Sequence, residues 1–191
     1  MPLTPKGLRQ STAIAQRFER PPVLIVTSPY LRTAQTARQT IERFPDTART
    51  EWPVHEYTYL APARCYQTTL AERQPMVEEY WQRSDPHYVD GEGAESFAQL
   101  VDRAWQLKER FQQCADPAFL AIFSHAQFMR AVIWALFYRQ SQEQCLAQMK
   151  KFRLFCNAID ILNGAIVEWQ CKPNGEIWMS PVLTAHLASG V

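Results

Sequence analysis

The chain has 191 residues, of which 47% are hydrophobic, and its 20 basic and 19 acidic side chains leave a net charge of +1. This length allows a substantial core, and we expect a single domain over residues 1–191. The balanced charge argues against nucleic acid or a membrane surface as a partner. The longest apolar run, "AVIWALF", is too short to cross a bilayer, and "MPLTPKGLRQ" lacks the apolar stretch of a signal peptide.

The cysteine and histidine content argues against disulfides and metal sites. The five cysteines form no CxxC pair, and their odd number is typical of reduced thiols in the cytoplasm. The four histidines form no HxH or HExxH pattern. We therefore predict a cytoplasmic protein without a metal or a cofactor.

The first part of the chain alternates helix and strand patterns. The segment "LTPKGLRQSTAIAQRFERPP" predicts a helix that is capped by Thr4, has Pro5 at its first position and ends before Pro21. The run "VLIV" is typical of a buried strand. The next segment, "TSPYLRTAQTARQTIERF", predicts a second helix, capped by Ser28 and with Pro29 at its first position.

The rest of the chain continues this alternation. The region 51–93 is less regular, with one helix at "LAERQPMVEEYWQRS" that Pro75 kinks or restarts. Then "ESFAQLVDRAWQLKERFQQC" predicts a helix, "AFLAIF" a strand and "AQFMRAVIWALFYRQ" a helix. The segments "NAIDILN" and "AIVEWQCK" alternate like strands, and "PNG" predicts a turn before the strand "EIWMSPVL". The pattern predicts an α/β fold with a mixed, mostly parallel sheet.

Two segments, "VLIVTSPYLR" and "AIFSHAQFMR", share one design: a buried strand, a turn with a serine (Ser28 or Ser124), and a helix. The carboxyl ends of parallel strands meet at one edge of a sheet, where helix N-termini favour anions. Arg32 lies near the start of its helix and His125 directly after its strand, and the arginine fork matches phosphate oxygens. Taken alone, each residue is better explained by a structural role, but the pair predicts a site for one small anion.

These residues also carry a resemblance to a known family. The segment "TSPYLRTAQTA" resembles the S-P-x-x-R-x-x-Q-T-A motif of the histidine phosphatase superfamily, which includes the phosphoglycerate mutases. Likewise "LTPKGLRQ", "GAESFAQLVDR" and "FSHAQFMRAVI" resemble three further motifs, in the family's order. The resemblance implies a three-layer α/β/α sandwich. It also implies a phosphomonoester hydrolase or mutase that passes a phosphoryl group through a histidine.

The resemblance assigns roles residue by residue. Arg32 matches the family's second phosphate-binding arginine, and His125 matches its second histidine, which contacts the phosphate. Glu56, in "VHEYTYL", falls where the family often carries the acid that protonates the leaving oxygen. A plain surface carboxylate explains Glu56 equally well, and Glu95 is the next candidate for the acid. Ala126 departs from the family's preference for glycine after this histidine.

One part of the family pattern is absent. The family's nucleophile is a histidine in an Arg-His-Gly motif that ends the first strand, and no such tripeptide occurs in this sequence. Without the attacking imidazole and its arginine, covalent catalysis and half of the phosphate clamp are lost. We therefore expect an N-terminally truncated chain that is inactive as given. The alternative is a complete, non-catalytic member that binds a phosphorylated ligand or a protein partner.

Two expectations follow for the surroundings of the site. The segment 62–93 should cover it, although its arginines and tyrosines are equally typical of an ordinary solvated face. In the family the first strand lies between the strands that correspond to "VLIV" and "AFLAIF". Without it, this chain must close the gap, bring in a strand from elsewhere, or leave two apolar edges exposed. Exposed strand edges recruit other chains, so we expect a homodimer formed near this gap or poor behaviour in solution.

Overall fold

The computed structural model of the chain describes residues 2–113, 118–138, 141–172, 174 and 176–190. The backbone divides into two compact units. We call the first, which comprises residues 1–55, 109–126 and 161–191, the strand unit. The second comprises residues 56–108 and 127–160, and we call it the helical unit. The single domain expected from the sequence stays a proposal.

The strand unit contains all the strands of the described residues. They are β1 (Leu24–Thr27), β2 (Ala48–Glu51), β3 (Leu120–Phe123), β4 (Trp169–Cys171) and β5 (Ile177–Met179). The first three form a parallel sheet in the order β2-β1-β3, with Leu24 opposite both Ala48 and Leu120. Strands β4 and β5 form a separate antiparallel pair. The α/β class with a parallel sheet is thereby confirmed.

Eight α-helices and one 3₁₀ helix lie in the described part of the chain. They are α1 (Pro5–Arg17), α2 (Leu31–Arg43), α3 (Pro62–Cys65), α4 (Leu70–Arg83), α5 (Phe97–Gln113), α6 (Ala126–Phe137), α7 (Gln142–Leu146), α8 (Met149–Ala158) and the 3₁₀ helix Ala185–Gly190. Among these helices, none combines the length and the apolar composition that a membrane span requires.

The start of α1 confirms the sequence prediction. Thr4 is the N-cap, and its hydroxyl accepts a hydrogen bond from the backbone N–H of Gly7. Pro5 occupies the first helical position, where its missing N–H leaves no hydrogen bond unmade. On the inner face, Ile14 packs against Ile25 of β1 in the core of the strand unit.

The predicted start of α2 was wrong by two residues. The helix begins at Leu31 rather than Pro29, and its N-cap is Tyr30, which makes no side-chain capping bond. The hydroxyl of Ser28 is instead bonded to His125 and Thr33, as described below. Its oxygen also accepts the backbone N–H of Tyr30, at 3.2 Å, which leaves no lone pair for the N–H groups of the first helical turn.

Several other boundaries differ from the prediction. Asn157 and Ala158 end α8, so the predicted strand "NAIDILN" is wrong there. Pro75 does not restart the helix, because α4 is a single helix from Leu70 to Arg83; a capping box at Thr69 and Glu72 begins it. Strand β2 was not predicted. Parts of three predictions lie outside the described residues: the Cys114 thiol, the end of the helix at Arg139 and Gln140, and the turn residues Pro173 and Gly175.

No gap separates the two apolar strands. Strands β1 and β3 pair directly over their whole length, from Leu24 opposite Leu120 to Thr27 opposite Phe123. Of the three outcomes expected without the family's first strand, the structure shows the closed gap. Because β1 lies between β2 and β3, the strand that ends directly before Ser28 has both of its backbone edges paired.

Each unit has its own apolar core. In the strand unit, Ile25, Ala37 and Phe123 are among the buried residues between the sheet and helices α1 and α2. The helical unit buries a larger set from α5, α6 and α8: Phe97, Leu100, Val101, Ala104, Phe128, Val132 and Phe152. The sheet of the strand unit therefore packs against helices of the same unit. This packing holds the ends of β1 and β3 in place.

Candidate phosphate site

The candidate site lies in the strand unit, at the carboxyl ends of β1 and β3. Ser28 follows β1 and His125 lies two residues after β3. The parallel register aligns the two ends, and the N–H of Ser28 donates to the carbonyl of Phe123 at 3.3 Å. Two residues that are 97 positions apart in sequence are thereby brought into hydrogen-bond contact.

Both ring nitrogens of His125 have partners. Nε2 lies 2.8 Å from Oγ of Ser28, and Nε of Arg32 donates to Nδ1 at 3.0 Å. The ring is only 6% exposed, and Ser28 is 1% exposed. The structure therefore brings together three of the residues predicted from the sequence, Ser28, Arg32 and His125, in one largely buried cluster.

The guanidinium contact determines where the imidazole carries its proton. Arginine stays protonated in proteins and can only donate, so Nδ1 of His125 must accept from Arg32. In the neutral ring the proton is then on Nε2, which donates to Ser28. A base that activates a serine must accept the serine's proton, which is the opposite direction. The pair Ser28–His125 is therefore arranged for hydrogen bonding and not for serine activation.

Two aromatic side chains surround this cluster. The ring of Tyr30 stands edge-on to His125, with 5.2 Å between the centroids, and lies 6.0 Å from the ring of His55. The guanidinium carbon of Arg32 lies 4.7 Å from the centroid of Tyr30, a distance at which a cation is attracted to the ring face. Within the described residues, the two Nη groups of Arg32 donate no hydrogen bond, so they can receive an anion.

Ser124, also predicted to bind phosphate, has a different partner from the cluster. Its hydroxyl donates to the carbonyl of Val54 at 2.7 Å. This bond ties the turn after β3 to the segment that follows β2. A role for Ser124 in binding phosphate stays a prediction.

The predicted acid, Glu56, is the first residue of the helical unit. Its Oε1 accepts hydrogen bonds from the backbone N–H groups of Tyr57 and Gln127, each at 3.1 Å. Gln127 belongs to the first turn of α6, where a helix presents unpaired N–H groups and favours a carboxylate. Glu56 is thus held in a defined orientation by backbone donors, and its catalytic role stays a prediction.

The other candidate for the acid, Glu95, is committed to an ion pair. Arg103 grips both of its carboxylate oxygens, and the closest approach, Nη2 to Oε1, is 2.6 Å. Both side chains are nearly buried, at 13% and 11% exposure. Such a bidentate pair fixes the carboxylate in one position as a structural group.

Sequence reasoning missed Thr33. Its hydroxyl lies 2.8 Å from Oγ of Ser28 and 2.6 Å from the carbonyl oxygen of Tyr30, and the residue is 4% exposed. The only signal was its position next to Arg32. Because neighbouring side chains on a helix point in different directions, Thr33 can point inward when Arg32 faces the site.

Comparison with solved structures places the fold among phosphatases. The chain matches the phosphoserine phosphatase of Entamoeba histolytica in complex with 3-phosphoglyceric acid at 18% identity and a TM-score of 0.68, covering 97% of this chain and 86% of that one. It matches a mutant of the same enzyme, in complex with phosphoserine, at 17% identity and a TM-score of 0.70, with the same coverage.

A third solved structure gives the same result. The mycobacterial glucosyl-3-phosphoglycerate phosphatase matches at 20% identity and a TM-score of 0.65, covering 95% of this chain and 87% of that one. No curated protein sequence matches the chain. At these identities the solved structures establish the fold alone, and they leave the substrate open.

The family itself is established by sequence. The model of the histidine phosphatase superfamily (branch 1) matches residues 1–161, which is most of the chain. That range includes the turn at Ser28, the start of α2 with Arg32, and His125. With the fold and the sequence in agreement, the chain belongs to the histidine phosphatase superfamily.

Proposed function

We propose that the chain binds the phosphoryl group of a phosphorylated small molecule through Arg32 and His125, as a phosphomonoesterase or mutase-like member of its superfamily. The observation that supports this most directly is the 3.0 Å contact between Nε of Arg32 and Nδ1 of His125. The contact fixes an arginine fork beside a buried imidazole, and the Nη groups remain available for phosphate oxygens.

The chemistry of the neighbouring side chains supports an anionic ligand. Arg32 brings a permanent positive charge, and the first turn of α2 adds the partial positive charge of a helix N-terminus. The solved phosphatases of similar fold were determined with phosphoserine and with 3-phosphoglyceric acid. A phosphorylated metabolite of comparable size is therefore the substrate class to test first.

We further propose that the chain as given does not turn the substrate over efficiently. Its sequence contains no Arg-His-Gly tripeptide, and its Ser28–His125 pair is not oriented to activate the serine. Phosphoryl transfer depends on a positioned nucleophile together with electrostatic stabilisation. Binding without rapid hydrolysis is the expected behaviour.

For Glu56 we propose the role of the acid that protonates the leaving oxygen. The two backbone donors hold its carboxylate in a fixed orientation. Any turnover that is measured should then fall more in Glu56→Gln for alkyl phosphates than for 4-nitrophenyl phosphate, because nitrophenolate leaves without a proton. An equal loss for both substrates would contradict this role.

The binding proposal is tested by titrating inorganic phosphate into the chain and into the variant Arg32→Gln by calorimetry. Loss of a charge-assisted hydrogen bond of about 1.5–3 kcal/mol predicts affinity lower by about 10- to 100-fold. The matched control is Arg38→Gln, because Arg38 is on the same helix but is exposed and paired with Glu42. Equal affinity of Arg32→Gln and the unaltered chain would contradict the proposed site.

Hydrolysis is tested with 4-nitrophenyl phosphate and a panel of phosphorylated metabolites. We expect rates near background for the 191-residue chain. Fast turnover that persists in His125→Ala would show that the proposed mechanism is wrong. Phosphate binding without turnover on any substrate is the result that we expect, and the alternative, a non-catalytic protein that binds a phosphorylated ligand, predicts it as well.

Two broader proposals concern the protein in the cell. The first is a cytoplasmic location, where thiols stay reduced. The described cysteines are free thiols, which is compatible with that proposal. The second is a homodimer. The apolar strand β3 lies at one end of the three-stranded sheet, and an exposed strand edge can pair with a second copy of the chain. Sedimentation over a range of concentrations tests it, and a monomer at all concentrations would contradict it.

A further inference from the structure

We infer that Thr33, acting through Ser28, is a positioning residue that holds His125 in a single tautomer, neutral with the proton on Nε2. The inference begins with the hydroxyl of Thr33, which lies 2.6 Å from the carbonyl oxygen of Tyr30 and 3.1 Å from that of Ser28. A carbonyl can only accept, so the Thr33 hydroxyl donates its one proton to the backbone.

The direction of the next bond follows from this one. Oγ of Ser28 lies 2.8 Å from Oγ1 of Thr33. Because the proton of Thr33 is already used, Thr33 must accept here and Ser28 must donate. The proton of Ser28 is thereby committed to Thr33, and its oxygen can only accept from its remaining neighbours.

Two groups donate hydrogen bonds to Oγ of Ser28. The backbone N–H of Tyr30 donates to Oγ of Ser28 at 3.2 Å, and Nε2 of His125 lies 2.8 Å away. A serine oxygen that accepts needs a protonated Nε2 as its partner. The hydroxyl pair therefore demands the same tautomer that Arg32 demands from the opposite side of the ring, where its Nε donates to Nδ1.

The agreement between the two sides gives the imidazole one defined state. All four side chains belong to the strand unit, and the exposed fractions of Ser28, Thr33 and His125 are 1%, 4% and 6%. Water therefore has little access to exchange these partners. In this state Nε2–H of His125 donates to Ser28, and Nδ1 accepts from Nε of Arg32. The bond to Nδ1 fixes the orientation of the guanidinium and therefore the direction of its two Nη groups.

The effect of this tautomer on ligand binding rests on the proposed phosphate binding, whereas the tautomer itself follows from the hydrogen bonds alone. A ring held in one tautomer presents Arg32 in one orientation before the ligand arrives, which lowers the ordering cost of binding. In the other tautomer the ring would point its N–H at the Nε–H of Arg32, and the two donors would repel each other.

The test is a long-range ¹H–¹⁵N NMR spectrum of the imidazoles in the ¹⁵N-labelled full chain at neutral pH. The spectrum of His125→Asn identifies the signals of His125 among the four histidines. We expect Nε2 at a protonated-nitrogen shift and Nδ1 at an unprotonated-nitrogen shift. The reverse assignment, or two averaged shifts, would overturn the inference.

Variants test the role of Thr33 separately. Because Arg32 alone still requires a protonated Nε2, Thr33→Val is made in the Arg32→Leu background. There it keeps the shape of the side chain but removes the acceptor, so Ser28 can donate to Nε2 and the His125 shifts should move toward a mixture of tautomers. In the same background Thr33→Ser keeps the hydroxyl and should keep Nε2 protonated. Unchanged His125 shifts in Arg32→Leu/Thr33→Val would overturn the role of Thr33.

Arg32→Leu alone gives an independent measurement if the double variant does not fold. It removes the donor to Nδ1 but leaves Thr33 and Ser28 in place, so His125 should keep Nε2 protonated; a mixture of tautomers in this variant would overturn the role of Thr33. Addition of inorganic phosphate to the unaltered chain separates the two proposals. A fixed tautomer without any phosphate-dependent shift would refute the proposed function and leave this inference intact.

Discussion

The ion pair between Glu95 and Arg103 gives the sharpest prediction for stability. Arg103 contacts Glu95 through Nε at 3.1 Å and through Nη2 at 2.6 and 2.9 Å. The N–H of Thr58 also approaches Oε1 of Glu95, at 3.3 Å. The guanidinium carbon lies 4.8 Å from the ring centroid of Phe128. Removing the arginine leaves a carboxylate that is 13% exposed with one weak backbone donor.

We predict that Arg103→Met lowers the free energy of unfolding by about 3–5 kcal/mol, because it leaves a nearly buried charge without its partner. The matched control is Arg38→Met. That residue pairs with Glu42 at 2.8 Å, but the two side chains are 74% and 51% exposed. An exposed pair of this kind contributes only about 0.3–0.5 kcal/mol, so the control should be nearly as stable as the unaltered chain.

Urea unfolding followed by fluorescence and circular dichroism measures both variants. The double variant Glu95→Leu/Arg103→Met removes both charges, and replacement of a buried pair by apolar side chains is often neutral or stabilising. We therefore expect the double variant to be more stable than Arg103→Met alone. If Arg103→Met costs no more than Arg38→Met, or if the double variant is the least stable, the reasoning from burial is refuted.

Two further predictions concern ionisable groups in the helical unit. Burial raises the pKa of Cys145 and of Cys156 to about 12, so about one thiol in 10⁴ is ionised at pH 8. Both cysteines should therefore react with an aromatic disulfide far more slowly than Cys65. Peptide mass spectrometry measures the three rates, and equal rates would contradict this prediction. Burial also raises the pKa of Tyr80 to about 12 and that of Tyr57, whose hydroxyl bonds to it, above the ordinary value. The folded state holds these protons more tightly than the unfolded state, so this stability is complete below pH ~10 and is lost as the pH rises toward 12. The urea midpoint should fall over that range, and a fall of the same size in Tyr57→Phe/Tyr80→Phe would assign it to other groups.

The sequence predicted the local parts of the strand unit well. Thr4 and Pro5 define the start of α1 because capping chemistry depends on neighbouring residues alone. The apolar runs of β1 and β3 were recognised because buried parallel strands have few polar residues. The contact between Arg32 and His125 followed from two similar strand–turn–helix segments, whose ends meet if their strands are parallel.

The errors have physical causes that lie beyond local sequence. Strand β2 reads "ARTE" and is mostly exposed, so its polar side chains give no strand signal at the edge of a sheet. The start of α2 was misplaced because Ser28 bonds to His125, a residue that no local pattern connects with it. The sequence left open whether the gap of the missing strand would close, because an apolar run shows that a strand is buried but not which strand lies beside it; in the structure β3 pairs directly with β1.

The strand order also sets the sequence in which the site can assemble during folding. From Leu24, the partner on one side is Ala48, 24 positions along the chain, and the partner on the other side is Leu120, 96 positions along. Each doubling of loop length costs about 0.6 kcal/mol of closure entropy, so the second pairing is about 1.2 kcal/mol harder to close. Strands β1 and β2 should therefore associate first, and the rate-limiting docking of β3 should follow. Ser28 and His125 meet only at that last step, so the appearance of phosphate binding in a refolding experiment reports the completion of the sheet.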